Sequence, residues 1–173
     1  GVDISAFKKA FRLDIAGFHQ HFERLILFLP LDAFRMQASD AHGARISGLE
    51  VGARVKTKRM QMKGTYLLQH ARFLGDGDNP LPHRPTHRGQ VQIGVKFKKS
   101  VPFIRGSAQS RVYSDAYGNR TLDGYGLVDL GWKFKPNRQW SIALELRNAF
   151  NAEGIFDAVH QPLPGRRLIA ELK

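Results

Sequence analysis

The sequence predicts an all-β protein, an antiparallel meander of about nine strands that forms the wall of a transmembrane β-barrel. Three observations predict this fold. Apolar and polar residues alternate with a period of two along most of the chain, which places them on opposite faces of a sheet. The connections alternate between tight charged turns and long loops, and the aromatics Phe134 and Trp140 bracket one of the tight turns. All three features are typical of outer-membrane barrels.

The alternation is clearest in residues 122–147, where two strands flank a polar turn at residues 135–139. The apolar face carries Leu122, Gly124, Gly126, Val128, Leu130, Trp132, Phe134, Trp140, Ile142, Leu144 and Leu146. The other face carries Asp129, Lys133, Glu145 and Arg147. This pattern predicts an antiparallel hairpin with one apolar and one polar face.

The remaining elements follow from the same alternation. Strands are predicted at residues 2–7, 11–26, 44–56, 60–73, 87–97, 101–113, 122–134, 140–147 and 165–173. The alternation breaks near Phe18, which predicts a bulge.

The predicted connections fall into two classes. Tight turns are expected at residues 8–10, 57–59, 98–100 and 135–139. Long loops are expected at residues 27–43, 74–86, 114–121 and 151–164, the first with room for a short strand of its own. Tight turns at one end and long loops at the other are the asymmetry of outer-membrane barrels, with the tight turns periplasmic.

Composition narrows the possible classes of protein. The longest apolar run, residues 25–31, is interrupted by Pro30 and is far shorter than the roughly 20 residues that a membrane-spanning helix needs. The absence of cysteine excludes disulfides and thiolate chemistry. The net charge of +12 predicts an anionic partner, such as nucleic acid, lipopolysaccharide phosphates or an acidic ligand.

The chain starts at Gly1 without a signal segment, which fits either a mature product or a piece of a longer protein. Bacterial single-chain barrels have an even number of strands. Nine predicted strands, the first entering from the long-loop end, therefore suggest that residues 1–173 are the C-terminal portion of a larger barrel.

Six short motifs carry a family resemblance. In chain order they are FHQHFERLI at 18–26, RISGLE at 45–50, LPHRPTHR at 81–88, GYGLVD at 124–129, NAFN at 148–151 and PGR at 164–166. Their order and spacing resemble the C-terminal barrel of TonB-dependent outer-membrane receptors. The chain departs from the family pattern where it stops at Lys173 instead of an aromatic residue, and where it lacks a tyrosine soon after Asn151. The family's plug domain and energy-coupling box are absent from this chain.

The resemblance implies a receptor in the bacterial outer membrane that takes up a scarce nutrient. The implied ligand is an anionic metal chelate such as a ferric siderophore, or haem or cobalamin. The implied partners are the TonB complex acting through a plug, the lipopolysaccharide of the outer membrane, and the remaining strands of a barrel of roughly 22. No cofactor is implied.

The candidate ligand-binding residues are His83 and Arg84 in the Pro-rich loop, His87 where that loop meets the next predicted strand, and Arg105 and Arg111 on the polar face. The simpler interpretation of the two polar-face arginines is a hydrated lumen of paired charges, since a barrel interior is polar. Glu50 and Glu145 are the expected partners in that case.

No metal site is predicted. His19 and His21 share a strand face, but no third ligand is placed beside them. No nucleophile motif, phosphate loop or acid–base pair is present, so the sequence does not predict an enzyme.

Two alternatives stay open. One is a small self-standing outer-membrane barrel, porin-like or adhesin-like. The other is a basic soluble β-protein that binds nucleic acid, which would present aromatics on its polar face. Trp132, Phe134 and Trp140 fall on the apolar face instead, which argues against the nucleic-acid interpretation.

Overall fold

The computed structural model describes residues 1–6, 10–30, 36–75, 79–157 and 161–172, with the side chains of 27–30 and 36–42 excepted. Within these ranges the ordered elements are all strands: β1 Val2–Ala6, β2 Phe11–Pro30, β3 Met36–Lys56, β4 Met60–Phe73, β5 His87–Val95, β6 Ser100–Gln109, β7 Val112–Tyr113, β8 Thr121–Leu122, β9 Tyr125–Phe134, β10 Ile142–Arg147 and β11 Arg167–Leu172. In this part of the chain, no helix has the length and apolarity to cross a membrane.

Nine of the strands form one antiparallel sheet in the order β1-β2-β3-β4-β5-β6-β9-β10-β11. The predicted all-β meander of nine strands is therefore confirmed. The short strands β7 and β8 pair only with each other and form a separate two-stranded ribbon. Strands β1 and β11 lie at the two edges of the large sheet.

The predictions for residues 11–43 were wrong in two respects. The pairing of β2 with β3 keeps one offset from Phe11↔Val55 through Phe22↔Ala44 to Pro30↔Met36, so no bulge is inserted near Phe18. Residues 27–30 and 36–43 continue the two strands instead of forming a loop, and residues 31–35 lie outside the described part. Strands of 20 and 21 residues far exceed the 9–11 that cross a bilayer. The hairpin therefore projects beyond the apolar band, where water on both faces removes the need for alternation.

The connection between β6 and β9 also differs from the prediction. Strand β6 ends at Gln109 and β9 begins at Tyr125, while residues 112–113 and 121–122 pair as β7 and β8. At Gly124 the chain runs so close to Gln109 that a Cβ atom would lie 2.6 Å from the Gln109 carbonyl oxygen. The backbone of Gly124 thus lies directly against that of Gln109, where the main sheet ends and the ribbon begins.

The two faces of the sheet differ as the alternation predicts. Outward-facing apolar side chains remain solvent-accessible, with Val91 and Ile93 38% exposed, Leu130 45% and Leu144 36%. A second packed layer would have buried these residues, so the sheet is not half of a sandwich. The opposite face carries most of the charged residues, with Arg45 and Arg72 at the long-loop end as exceptions, and we call the two the apolar face and the polar face.

Candidate functional site

The polar face is concave and lines a trough of about 1000 Å³. Side chains from opposite ends of the sheet, including those of Asp3 on β1 and Arg147 on β10, border the same trough. The sheet must therefore curve around its polar face, as the wall of a barrel does. Charged, amide, hydroxyl and apolar side chains share this lining, which includes Asp14, Glu50, Thr65, Leu67, Arg88, Gln90, Arg105, Gln109, Tyr125, Leu127 and Asp129.

An ion network crosses four strands of the polar face and centres on Arg105. Its guanidinium Nη1 lies 2.7 Å from Glu145 Oε1 and 3.3 Å from Asp129 Oδ2. Arg147 Nε donates to the same Glu145 oxygen at 3.0 Å, and Arg105 Nε and Nη2 both donate to Gln92 Oε1 at 3.3 Å. We call these five residues the ion network. Two arginines and two carboxylates balance, so the network carries no net charge.

The register of the strands assembles this network. Gln92 pairs with Arg105 across β5 and β6, and Arg105 pairs with Asp129 across β6 and β9. Directly paired residues point to the same face. The side chains of Arg105, Asp129 and Glu145 are only 22%, 14% and 18% exposed, so these ion pairs are less screened than surface pairs.

An aromatic ring supports the network from the tight-turn side. Phe103 is 7% exposed and lies between its pairing partners Gly94 and Gly131. A Cβ atom on Gly131 would overlap the Phe103 ring. Arg105 and Lys133 each place their cationic group 5.5 Å from the ring centroid. The glycines thus let the ring lie flat on the wall while two cations cover it.

Two asparagines join residues 148–152 to residues 164–166. Asn148 is 4% exposed. Its side chain accepts from Ala152 N and donates to the carbonyls of Ala152 and Pro164. Its backbone N donates to Asp129 Oδ1 at 3.0 Å, which links this turn to the ion network. Asn151 Oδ1 accepts from Arg166 N at 2.8 Å. The NAFN and PGR motifs are therefore bonded to each other.

Residues 79–81 and 86 pair with the end of β4 beyond its regular ladder with β5. The backbone N of Leu81 donates to Ala71 O at 2.9 Å, and Gln69 N donates to Thr86 O at 2.9 Å. Leu81 is 7% exposed and packs in an apolar cluster at the long-loop end. We call this cluster the apolar patch, and it contains Phe18, Leu25, Ala44, Ile46, Ala71, Phe73 and Leu81.

Three of the five predicted ligand residues lie together at the long-loop end. His83 has φ 61°, and its backbone N donates to Tyr113 O at 2.8 Å, next to the β7 ribbon. Arg84 and Arg111 are exposed. The structure therefore brings the loop residues and the end of β6 into one neighbourhood.

Arg105 and His87 lie elsewhere. Arg105 belongs to the ion network, where Glu145 is the partner that the sequence suggested and Asp129 is one that it did not. His87 is the first residue of β5, not a loop residue, and it lies on the apolar face, where Tyr66 Oη is 2.7 Å from its Nδ1. Among the described residues no three or more His, Cys, Asp or Glu side chains group as a metal site. His19, which shares a strand face with His21, has its Nδ1 2.8 Å from Ser47 Oγ instead.

The β7–β8 ribbon is closed by a carboxylate. Asp115 accepts from the backbone N of Tyr117 at 2.8 Å, of Asn119 at 3.2 Å, and of Arg120. Desolvation by itself would raise the pKa of Asp115, but these backbone hydrogen bonds outweigh it and lower the pKa below its usual value. The ionised form of Asp115 therefore holds this connection.

Comparison with known proteins adds a family match. The family model described as TonB dependent receptor-like, beta-barrel, matches residues 1–149. No curated protein matches the sequence significantly.

Solved structures share the fold over nearly the whole chain. The siderophore receptor PiuA from Acinetobacter baumannii superposes with a TM-score of 0.80 at 14% identity, covering 98% of this chain and 27% of PiuA. The copper transporter OprC superposes with a TM-score of 0.82 at 17% identity, covering 98% of this chain and 29% of OprC. The ferric-catecholate import receptor Fiu from Escherichia coli K12 superposes with a TM-score of 0.74 at 17% identity, covering 98% of this chain and 26% of Fiu. The chain thus spans between a quarter and a third of the length of these proteins, and at such identities the likeness shows the fold.

Proposed function

The chain belongs to the TonB-dependent receptor-like β-barrel family, and from this premise we propose that it forms the C-terminal part of a receptor barrel that imports a scarce nutrient. The proposed location is the bacterial outer membrane, and the proposed role is transport, not enzymatic catalysis. The rest of the barrel, the plug and the TonB complex that acts through the plug are the proposed partners.

One observation carries the proposal: the same nine strands present an apolar face outward and a charged concave face inward. A barrel wall in a bilayer needs this division, because its outside contacts acyl chains and its inside contacts water. The nine-stranded sheet supplies fewer than half of the roughly 22 strands of a plugged transporter barrel. Strands β1 and β11 are the edges to which further strands would pair.

We propose that the cargo is an anionic metal chelate, with a ferric siderophore ahead of haem or cobalamin. The net charge of +12 favours an anionic ligand. His83, Arg84 and Arg111 are the proposed contacts, because they lie together at the long-loop end and two of them are exposed cations. Arg105 is paired with two carboxylates and His87 lies on the apolar face, so neither placement supports direct contact with the cargo.

The ion network suggests a passive role for the wall. Because its charges balance, the ion network presents a polar surface that does not bind a passing anion strongly. In this mechanism the plug gates the lumen and the TonB complex supplies the work, while the wall keeps its shape.

The test is uptake by the complete receptor in cells with and without TonB, using a panel of radiolabelled ferric siderophores. We expect uptake of at least one ferric chelate, lost when TonB is removed. Arg84→Gln combined with Arg111→Gln should weaken binding of that chelate about fivefold, as expected for two exposed charges. The matched control is Arg138→Gln, an exposed arginine in the tight turn at the opposite end.

Two results would contradict parts of this proposal. Uptake that persists without TonB would indicate a passive barrel and overturn the receptor assignment. TonB-dependent uptake of copper alone, with no ferric chelate transported, would overturn the cargo and leave the receptor class intact.

A further inference from the structure

Three cations lie side by side on the polar face, in one row across neighbouring strands. Arg12 on β2 is paired with Arg54 on β3, and Arg54 is paired with Lys63 on β4. Directly paired residues point to the same face, and like charges in such positions repel and destabilise a sheet. The row therefore gains stability from any negative charge that lies over it.

Both ends of this row receive negative charge from the chain itself. Arg12 Nη2 lies 2.7 Å from Asp3 Oδ2, and Arg12 Nε lies 3.0 Å from Asp14 Oδ1. Beyond β4 the register continues the row through Gln92 to Arg105, whose charge is balanced within the ion network. The chain therefore neutralises the row at β2 and at β6.

The middle of the row has no such partner. Arg54 and Lys63 are exposed, and in the described part of the chain no carboxylate forms an ion pair with either residue. Lys56, the next residue of this face on β3 toward the tight turn, is also exposed and without a carboxylate partner among the described residues. We call Arg54, Lys56 and Lys63 the cation cluster. Its three positive charges are uncompensated, whereas the ion network is neutral.

The surroundings of the cation cluster suit a small oxyanion. Neighbouring strands lie about 4.8 Å apart, which lets the Arg54 guanidinium and the Lys63 ammonium reach the same carboxylate or phosphate group. In the next row toward the long loops, Gly52 lies opposite Thr65. The glycine has no side chain to fill the space above the wall, and the threonine hydroxyl is a further donor. Both residues line the trough, so an anion in the trough can approach the cluster.

We propose that the cation cluster is a binding site for an oxyanion, a carboxylate or a phosphate, that comes from outside residues 1–173. Two sources supply this chemistry: a carboxylate of another part of the receptor that fills the lumen, and a free anion that enters the lumen from solution. The inference rests on the proposal that this wall belongs to a larger receptor barrel. It does not depend on import, because a receptor that transported nothing would still present these charges to its lumen.

Direct coupling of amines to carboxylates tests the first source. A carbodiimide activates the carboxylates of the complete receptor in detergent. An amine in contact with an activated carboxylate then forms an amide with it, and the carbodiimide leaves as its urea. Mass spectrometry of the digested receptor identifies the peptide that is joined to Lys63. For this source we expect coupling of Lys63 to a carboxylate outside residues 1–173, well above the coupling of Lys58, an exposed lysine of the tight turn.

Protection of the same lysine from acetylation tests the second source. The complete receptor is treated with sulfo-N-hydroxysuccinimide acetate while inorganic phosphate replaces chloride at equal ionic strength. For a free anion we expect phosphate to slow acetylation of Lys63 about twofold at a concentration equal to its Kd, because half of the sites are then occupied. Acetylation of Lys58 should not change.

Two arginines of one strand provide a variant and its matched control. Arg45 and Arg54 both lie on β3 and are both exposed, but they lie nine positions apart in the chain and so face opposite sides of the sheet. Arg54→Gln should weaken the coupling of Lys63, or the affinity for phosphate, about fivefold, as expected for one exposed charge. Arg45→Gln should leave both unchanged.

Three results would overturn the proposal. The first is coupling of Lys63 no greater than that of Lys58 together with no protection by phosphate, which would mean that water alone solvates the cluster. The second is coupling of Lys63 only to carboxylates within residues 1–173, such as Asp14 or Glu50. The third is an equal response of Arg54→Gln and Arg45→Gln. The first two are measured on the wild type, so they decide even if Arg54→Gln fails to fold.

Discussion

The polar face is held together by two different means in two regions. On β2 to β4, at the long-loop end, the apolar patch buries Ala44, Ile46 and Leu81 to 0–7% exposure. On β5 to β10, the ion network joins strands through Arg105 and its carboxylates. The first region is held by burying Leu81 of the connection after β4 among apolar side chains, and the second by pairing charges across neighbouring strands.

This difference predicts how each region responds to substitution. Burial of an apolar side chain is not directional and tolerates a connection whose path varies. Charge pairs depend on register, since Arg105 meets Asp129 only because the two residues are directly paired. We therefore expect substitutions in the apolar patch to release the 79–86 segment, and substitutions in the ion network to weaken the sheet itself.

The largest effect should follow Leu81→Ala. Removing most of a buried leucine side chain costs about 2 kcal/mol or more, and here the loss falls on the contact that anchors the 79–86 segment. Hydrogen exchange at the Leu81 amide, which donates to Ala71 O, should accelerate while β5 and β6 keep their protection. Leu130→Ala, on the apolar face and 45% exposed, is the control.

Unchanged exchange in the 79–86 segment of Leu81→Ala would show that its backbone hydrogen bonds hold it without the apolar patch. Faster exchange throughout β5 and β6 would show that the two regions are not independent. Either result would remove the distinction drawn above.

A smaller effect is expected for Glu145→Gln, which keeps the shape but removes the charge between Arg105 and Arg147. Losing a half-buried, charge-assisted contact costs about 1–2 kcal/mol. Asp3→Asn is the comparison, because the Arg12–Asp3 pair has side chains 55% and 52% exposed and exposed pairs contribute little. Chemical denaturation of the complete receptor in detergent would measure both. An equal loss for the two variants would mean that burial adds nothing to the ion network.

The sequence anticipates the strands better than it anticipates the contacts. Alternation identifies β9 and β10 because a sheet with one apolar and one polar face imposes a period of two on the side chains. It fails at residues 27–30 and 36–43, where the two strands extend beyond the apolar band. On the polar face, the pairing of Glu145 with an arginine follows from shared polarity, whereas Asp129 as a partner of Arg105 requires the register of β6 with β9. The strand predicted at residues 87–97 does begin at His87, and the period of two puts His87 on the same face as Val91 and Ile93, so its place on the apolar face could have been predicted.

The smallest effect is expected at Asp115, whose carboxylate stabilises the connection between β7 and β8 by accepting hydrogen bonds from its backbone. Its lowered pKa means that the folded connection favours the ionised form, so its stabilising contribution is complete above the ordinary value of 3.8 and is lost as the pH falls through the lowered pKa. Exchange at the amides of Tyr117, Asn119 and Arg120 should therefore quicken only in strong acid, after correction for the pH dependence of the exchange chemistry. Asp115→Asn should produce the same loss of protection at neutral pH, since an amide oxygen accepts more weakly than a carboxylate. If these amides stay protected in the asparagine variant, the β7–β8 pairing holds the connection and the carboxylate does not.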